Sequence, residues 1–330
     1  MLIATTSEDD AAVAKATAWV GNGEVALSGD AFIYRHSLDP RFVSYFFNSE
    51  RFQEQKTRYI SGTKVRRISG DALAKIRIPV PHLEVQQEIV RILDQFTQLE
   101  AELETELEAE LEARFLQFKK VEQRCFEFEG PVRSMKLGEL ATVLNGYSFR
   151  SSEYTEKGVR VVRISDVQKG NISDDDMKFY PPEKQPEFER YLLTEGDIVL
   201  SLSGSVGRVA IIDQKHLPAA LNQRVACLRP NVQLVHPRFL FHFLNRDQFE
   251  NEAESSTSGG TVKNISSRWL TNVLIPLPSL EVQNEAAVVL DRYQELLQGV
   301  SAGLPAEIQA RRKQYEYYRD KLLTFKELAA

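Results

Sequence analysis

One segment of this chain occurs twice: IPVPHLEVQQEIVRILDQF from Ile78 and IPLPSLEVQNEAAVVLDRY from Ile275, 197 residues apart. Pro79, Pro81, Leu83, Glu84, Val85, Gln86, Glu88, Leu93 and Asp94 match Pro276, Pro278, Leu280, Glu281, Val282, Gln283, Glu285, Leu290 and Asp291. The same offset holds upstream without a gap, where DPRFVSYFFNSERF matches HPRFLFHFLNRDQF and SGTKVRRIS matches SGGTVKNIS. It holds downstream as well, through Ala113/Ala310, Arg114/Arg311, Gln117/Gln314 and Phe128/Phe325. A register constant from Pro40 to Phe128 requires two copies of one structural unit, so any fold for this chain must accommodate its own duplication.

The second copy shows the unit in full. From Met135 to about Leu277, strand-like runs such as VRVVRI, GDIVLSLS and RVACLRP alternate with Gly, Asn, Asp and Pro turns, and a short amphipathic helix, PRFLFHFLN, sits among them. Paired prolines then end the globular part, and Ser279 caps a helix with Glu281 in its first turn. The first copy predicts one helix from Leu83 to Phe126, about 65 Å long at 1.5 Å per residue. Its alternation of Glu with Leu at 102–112 has a period of two, but the leucines recur every four residues among strong helix formers, so helix wins over strand. Ile89, Leu93, Phe96, Leu103, Leu107, Leu111, Phe115 and Phe118 form a stripe that needs a partner helix, which the second copy supplies. There SAGLP, residues 301–305, predicts a break. The expected fold class is therefore α+β: mixed globular domains joined by long antiparallel, coiled-coil-like helices. The expected boundaries are 1–80 for part of a first globular domain, 81–128 for a long helix, 129–277 for a whole globular domain and 278–330 for a second long helix. By the constant offset, Ile3 falls at Leu200, so residues 135 to about 197 have no counterpart; the expectation is an incomplete first domain that either a second chain completes or that associates through its open strand edge.

Composition and charge narrow the class. With 42% hydrophobic and 27% charged residues the chain has globular composition, which excludes disordered and fibrous classes. No uncharged apolar run approaches the ~18 residues of a membrane span, and the acidic start MLIATTSEDD is unlike a signal peptide. Cys125 and Cys227 have neither a disulfide framework nor metal-ligand spacing, so a cytoplasmic location is expected. A net charge of −6 argues against a nucleic-acid partner until the charge is located. Residues 84–128 hold 12 acidic and 5 basic side chains, or −7, which leaves +1 for the rest of the chain. The acid is concentrated on the predicted helix as a solvated face, and basic loops elsewhere remain able to meet phosphate.

Three segments have the chemistry of nucleic-acid contact. In SLSGSVGR, Ser203, Ser205 and Arg208 stand among glycines whose small size lets backbone N–H groups approach phosphate; the segment reads equally as a tight turn between strands. A glycine-basic loop occurs at the same place in both copies, with Lys64, Arg66 and Arg67 in the first and Lys263 and Asn264, followed by Arg268, in the second. Asn222, Gln223 and Arg224 can offer paired donors or acceptors to base edges, although a polar strand end has the same composition. Arg163 and Ser165, in VRISDV, and Tyr147 are weaker candidates, because Arg163 can equally pair with a neighbouring acid. The tail RRKQYEYYRDK combines basic and aromatic residues, but Tyr315, Tyr318, Leu322 and Phe325 fall on one helical face, which reads as packing and docking surface. GxGxxG, GxxxxGK[ST] and HExxH are absent, and so is an Asn-Pro-Pro-aromatic run. His36, His82, His216, His236 and His242 are scattered, so no catalytic residue, metal or cofactor is expected.

The repeated IPxPxLExQ run, KLGELATVLNGYSF, GDIVLSLSGSVGRVAI and ARRKQYEYYRDKLLTF, in this order, resemble the specificity subunits of type I restriction-modification systems. The resemblance implies two target-recognition domains, each reading half of a split DNA sequence, held apart by paired long helices. It also implies double-stranded DNA, methyltransferase subunits and restriction–translocase subunits as partners, and a subunit that performs no chemistry itself. Two rival readings stand at this point: the recognition end of a fused restriction-methyltransferase enzyme, and a coiled-coil adaptor whose globular parts bind protein.

Overall fold

The computed structural model describes residues 1–128, 130–257 and 264–325, without the side chains of residues 300–302 and 304. It divides into two compact units, Met1–Ala113 with Gly299–Ala330, and Arg114–Gln298.

The first unit contains the strands β1 (Leu2–Ala4), β2 (Thr6–Ser7), β3 (Ala16–Thr17) and β4 (Ala31–Ile33), the helices α1 (Pro40–Phe47) and α2 (Glu50–Thr57), β5 (Arg66–Arg67), α3 (Gly70–Leu73) and the start of the long helix α4 (Leu83–Cys125). A small antiparallel sheet runs β3-β1-β4, and β2 pairs with β5. Each short helix is capped by its sequence. Asp39 accepts from the N–H groups of Arg41 and Phe42, and Pro40 occupies the first helical position. Ser49 and Ser69 cap α2 and α3 in the same way. The apolar face of α1 (Phe42, Val43, Phe46 and Phe47) packs with Phe52, Ile68, Ile89, Val90 and Leu93 into one core. Lys56 is fully buried in this unit, and its ammonium donates to the carbonyls of Ala11 and Val13, both at 2.9 Å. Against the N-terminal stretch of α4, residues 299–322 run antiparallel: Phe96 stacks on Tyr318, and Arg312 pairs with Glu100 and Glu104.

The second unit begins with β6 (Ser134–Lys136), α5 (Leu137–Leu140), β7 (Ala141–Asn145) and β8 (Val159–Val162). β9 (Val167–Gln168), β10 (Asn171–Ile172), β11 (Lys178–Tyr180), α6 (Gln185–Phe188), β12 (Ile198–Ser201), β13 (Val209–Ile211), β14 (Ala219–Leu221) and β15 (Val225–Pro230) follow. It closes with α7 (Pro237–Leu244), α8 (Asp247–Ser255), α9 (Ser267–Asn272), β16 (Leu274–Pro276) and the start of α10 (Leu280–Leu322). A four-stranded sheet runs β13-β12-β15-β7, and a three-stranded sheet runs β11-β8-β14 with β14 parallel to β8. β12 and β15 are buried at nearly every position, which is why GDIVLSLS and RVACLRP read as continuous rather than alternating apolar runs.

The elements recur at the sequence offset: α1 with α7, α2 with α8, α3 with α9, and α4 with α10, whose two ends are each displaced by 197. The structure also explains why the glutamine of IPxPxLExQ is repeated. Gln86 accepts from the backbone N–H of Asp39 at 2.8 Å and donates to the carbonyl of Pro81 at 2.7 Å. Gln283 accepts from His236 N–H at 2.8 Å and donates to Pro278 at 2.9 Å. Each glutamine thus ties the entry of a short helix to the turn that starts a long one. About two turns further on, the Tyr45 hydroxyl donates to Asp94 at 2.6 Å, and His242 Nε2 meets Asp291 at 2.7 Å. His242 is therefore a satisfied packing residue.

One expectation is corrected. The break expected at 301–305 is absent, and α10 runs unbroken from Leu280 to Leu322 with Pro305 inside it. A proline removes one backbone hydrogen bond of the helix ladder, a loss that the packing of residues 305–322 along α4 can offset.

Candidate nucleic-acid interface

Strand order brings the second unit's candidates together. Ser201 pairs with Val225 and Ala226 with Asn145, so the loop leaving β12, the turn entering β15 and the loop leaving β7 emerge at one end of the four-stranded sheet. Leu221 pairs with Val162, which places the loop after β8 beside them.

Asn222, Gln223 and Arg224 form the turn between β14 and β15, with Gln223 and Arg224 exposed. Backbone bonds fix the turn. Asn222 N–H donates to Val162, Gln223 N–H to Tyr147, and Leu202 N–H to the carbonyl of Arg224. A bridge joins Tyr147 to Asn222. Its closeness requires Gly146, since a Cβ there would lie 2.1 Å from the Asn222 carbonyl oxygen. The Tyr147 ring lies half-buried against Phe149, Phe188 and Tyr191, which leaves it supporting the turn from below.

SLSGSVGR is a tight turn and also part of this surface. The buried Ser201 hydroxyl donates to the Ser205 carbonyl at 2.5 Å and accepts from Arg208 N–H at 3.1 Å, which closes the loop on itself. Gly207 has φ +81° and sits so close to α8 that a Cβ would meet Ala253 Cβ at 2.8 Å. Ser205 is exposed at the tip, and Ser203 bridges to Asn264. The Arg208 guanidinium donates to Gln168 at 3.0 Å, so it lies along the wall rather than at the rim.

Arg163 is held in an ion-paired cluster. It meets Asp166 at 2.8 Å and Asp176 at 3.3 Å. Burial opposes its charge, but the hydrogen bonds it donates to these carboxylates favour the protonated guanidinium. Ser165 is exposed, and its hydroxyl donates to the same Asp166. Asp166 thus holds both side chains of this loop. Arg268 is exposed on α9, and Lys263 lies outside the described residues.

The other basic loop belongs to the first unit. Lys64 and Arg67 are exposed, and Arg67 sits on β5 opposite Thr6. The Arg66 side chain is tied down by Asp10 at 2.9 Å and by the Gly62 carbonyl at 2.6 Å, so it stiffens the loop that presents the other two. Among the described residues, no group of three or more His, Cys, Asp or Glu side chains is arranged to hold a metal ion. No described helix is long and apolar enough to cross a membrane.

Polar and basic loops are thus gathered at one sheet end of the second unit. The model of the type I restriction modification DNA specificity domain matches residues 25–113 and 130–310, and the chain belongs to that family. It is 31% identical over 300 residues to the EcoR124I/EcoR124II specificity subunit of Escherichia coli, covering 86% of this chain and 70% of that one. The MjaVIII specificity subunit of Methanocaldococcus jannaschii is 28% identical over 278 residues, covering 79% of this chain and 65% of the other. Among solved structures, a chain from an assembly study of a type I R-M system superposes with a TM-score of 0.71 at 21% identity, covering 90% of this chain and 74% of that one. The HsdS subunit from Thermoanaerobacter tengcongensis gives 0.57 at 20%, covering 86% and 70%. The relatives are specificity subunits, a non-catalytic class.

Proposed function

We propose that this chain reads DNA sequence for a type I restriction-modification complex, with the turn Asn222–Arg224 and the Ser203–Ser205 loop of the second unit facing one part of the target. The observation that carries this reading is the convergence of loops from β7, β8, β12 and β15 at a single sheet end. The exposed Gln223 can pair one donor and one acceptor with adenine, and the exposed Arg224 two donors with guanine, in the major groove. In the same reading, Lys64 and Arg67 serve a second contact from the first unit, double-stranded DNA is the ligand, and methyltransferase and restriction subunits are the proteins that assemble on the chain. Relatives that are separate specificity subunits favour this over a fused enzyme, and a coiled-coil adaptor would not need polar loops so gathered.

The test is binding of the chain, with its methyltransferase subunits, to its methylated target and to random duplex across a salt series. Arg224→Ala is expected to weaken target binding by about 1–3 kcal/mol if it contacts a base, with little change on random DNA. A phosphate contact instead gives uniform weakening and a salt slope smaller by about one. Affinity that is indifferent to both salt and Arg224 would exclude the reading.

A further inference from the structure

Lys56 sits on α2 with its side chain completely buried, where an ammonium is destabilising unless its donors are met. Burial pushes its pKa down, and the nearby Asp10 and Asp9 oppose that shift. The ammonium is met by two carbonyls, those of Ala11 and Val13, each at 2.9 Å. Both belong to the loop 8–15, between β2 and β3. The Val13 carbonyl is part of the peptide that enters Ala14, whose φ of +62° is strained for a residue with a Cβ and persists only where neighbours hold it. Lys56 therefore fixes the shape of this loop as well as its place.

The second unit supports the corresponding loop from the same position by other means. At the 197 offset Lys56 matches Ala253 on α8. The loop 202–208, between β12 and β13, rests its backbone directly on that alanine, since a Cβ on Gly207 would lie 2.8 Å from Ala253 Cβ. That loop carries Ser203 and Ser205. One site on the second short helix thus seats a loop in each unit, through a glycine–alanine contact in one and a long cationic side chain in the other.

In the first unit the seated loop is tied to the basic residues. β2, from which it leaves, pairs with β5 through Thr6–Arg67 and Ser7–Arg66. Asp10, next to Ala11, holds Arg66 at 2.9 Å. A shift of the loop is therefore passed to β5 and to the turn that presents Lys64. We propose that Lys56 is a positioning residue for DNA contact: from the core of the first unit it seats the loop 8–15 and, through β2 and Asp10, sets the placement of Lys64 and Arg67. The proposal rests on the reading of Lys64 and Arg67 as a DNA contact, and its two measurements separate the seating from that reading.

The first measurement is hydrogen exchange on the full chain with Lys56→Met, which fills a similar volume without the charge. Exchange is expected to quicken roughly tenfold at Ala14, Arg67 and Ile68, whose amides donate to Ala4, Ser61 and Thr5. It is expected to stay unchanged at Val43 in α1 and at Val225 in the second unit. Asp10→Ala, at an exposed position, cuts the outer link alone and is expected to quicken Arg67 but not Ala14. The second measurement is DNA binding by the chain with its methyltransferase subunits. Lys56→Met and Arg67→Ala are each expected to weaken binding about threefold to tenfold and to lower the salt slope by about one, and the double variant is expected to do no more than either. Equal quickening at Val43 would make Lys56 a residue of overall stability, and quickening at Ala14 without Arg67 and Ile68 would sever it from the basic strand. Either result overturns the proposal, as does an additive double variant, or DNA binding that Arg67→Ala weakens and Lys56→Met does not. If the exchange pattern holds and Arg67→Ala leaves DNA binding untouched, the seating stands and the first unit's DNA contact is what fails.

Discussion

Asp197→Ala is expected to destabilise the second unit by about 3 kcal/mol, measured as a lower denaturant midpoint. The carboxylate is 1% exposed at the end of β12 away from the proposed reading surface. It accepts two bonds from Arg229 on β15, at 2.8 and 2.7 Å, and one from Thr194 N–H at 2.8 Å. Arg229 also donates to the carbonyl of Leu192. Removing the carboxylate leaves an arginine with one remaining partner and an orphaned backbone donor. The loss falls at the low end of the range for broken buried pairs because the Arg229 side chain keeps 40% of its surface in water and can rehydrate. Asp197→Asn, which retains an acceptor for one of these bonds, is expected to lose less than half as much. Equal losses for Ala and Asn would mean that the carboxylate charge alone carries the effect and that the acceptor kept by Asn contributes nothing.

Gly146→Ala attacks the reading surface without touching any side chain that would meet DNA. The new methyl would lie 2.1 Å from the Asn222 oxygen and 2.6 Å from the Leu221 oxygen, both backbone atoms. Neither can rotate away, so Tyr147 and Asn222 must separate and the turn carrying Gln223 and Arg224 must shift. Overpacking of this kind costs about 1–3 kcal/mol. In the proposed function the shift also moves the donors off the base edges, so specific binding is expected to fall by more than the stability does, while binding to random duplex persists. Unchanged discrimination between target and random DNA in a folded Gly146→Ala protein would remove the Asn222–Arg224 turn from the interface.

How much of this was legible in the residues depends on whether the signal was local. The repeat, the two long helices and the buried strands declare themselves through spacing and apolar runs. The continuity of α10 through Pro305 does not, because a proline's local cost is visible in sequence whereas the packing that offsets it is not. The pairing of Tyr45 with Asp94 and of His242 with Asp291 was equally hidden. The aspartates match between copies, but their partners differ in type, so the equivalence appears only when both are seen to occupy one place. In the candidate site, the residue types of Asn222–Arg224 suggested base contact, yet only strand order could show that Tyr147 and Ser203 lie beside them. Arg66 looked as available as Arg224 in sequence, while Arg163 already suggested an acid partner; the carboxylates that hold them, Asp10 and Asp166, are brought to them by loops. Gly146 gave no signal as a lone glycine after a strand, and its role comes from a neighbour 76 residues away.

In the proposed function the second unit reads its own part of a divided DNA target. Exchanging residues 135–277 for the equivalent segment of another family member, within the complete methyltransferase complex, tests it by sequencing around the methylated adenines. One half of the methylated sequence is expected to change to that of the donor while the other half stays as it was. A change in both halves, or in neither, would contradict it.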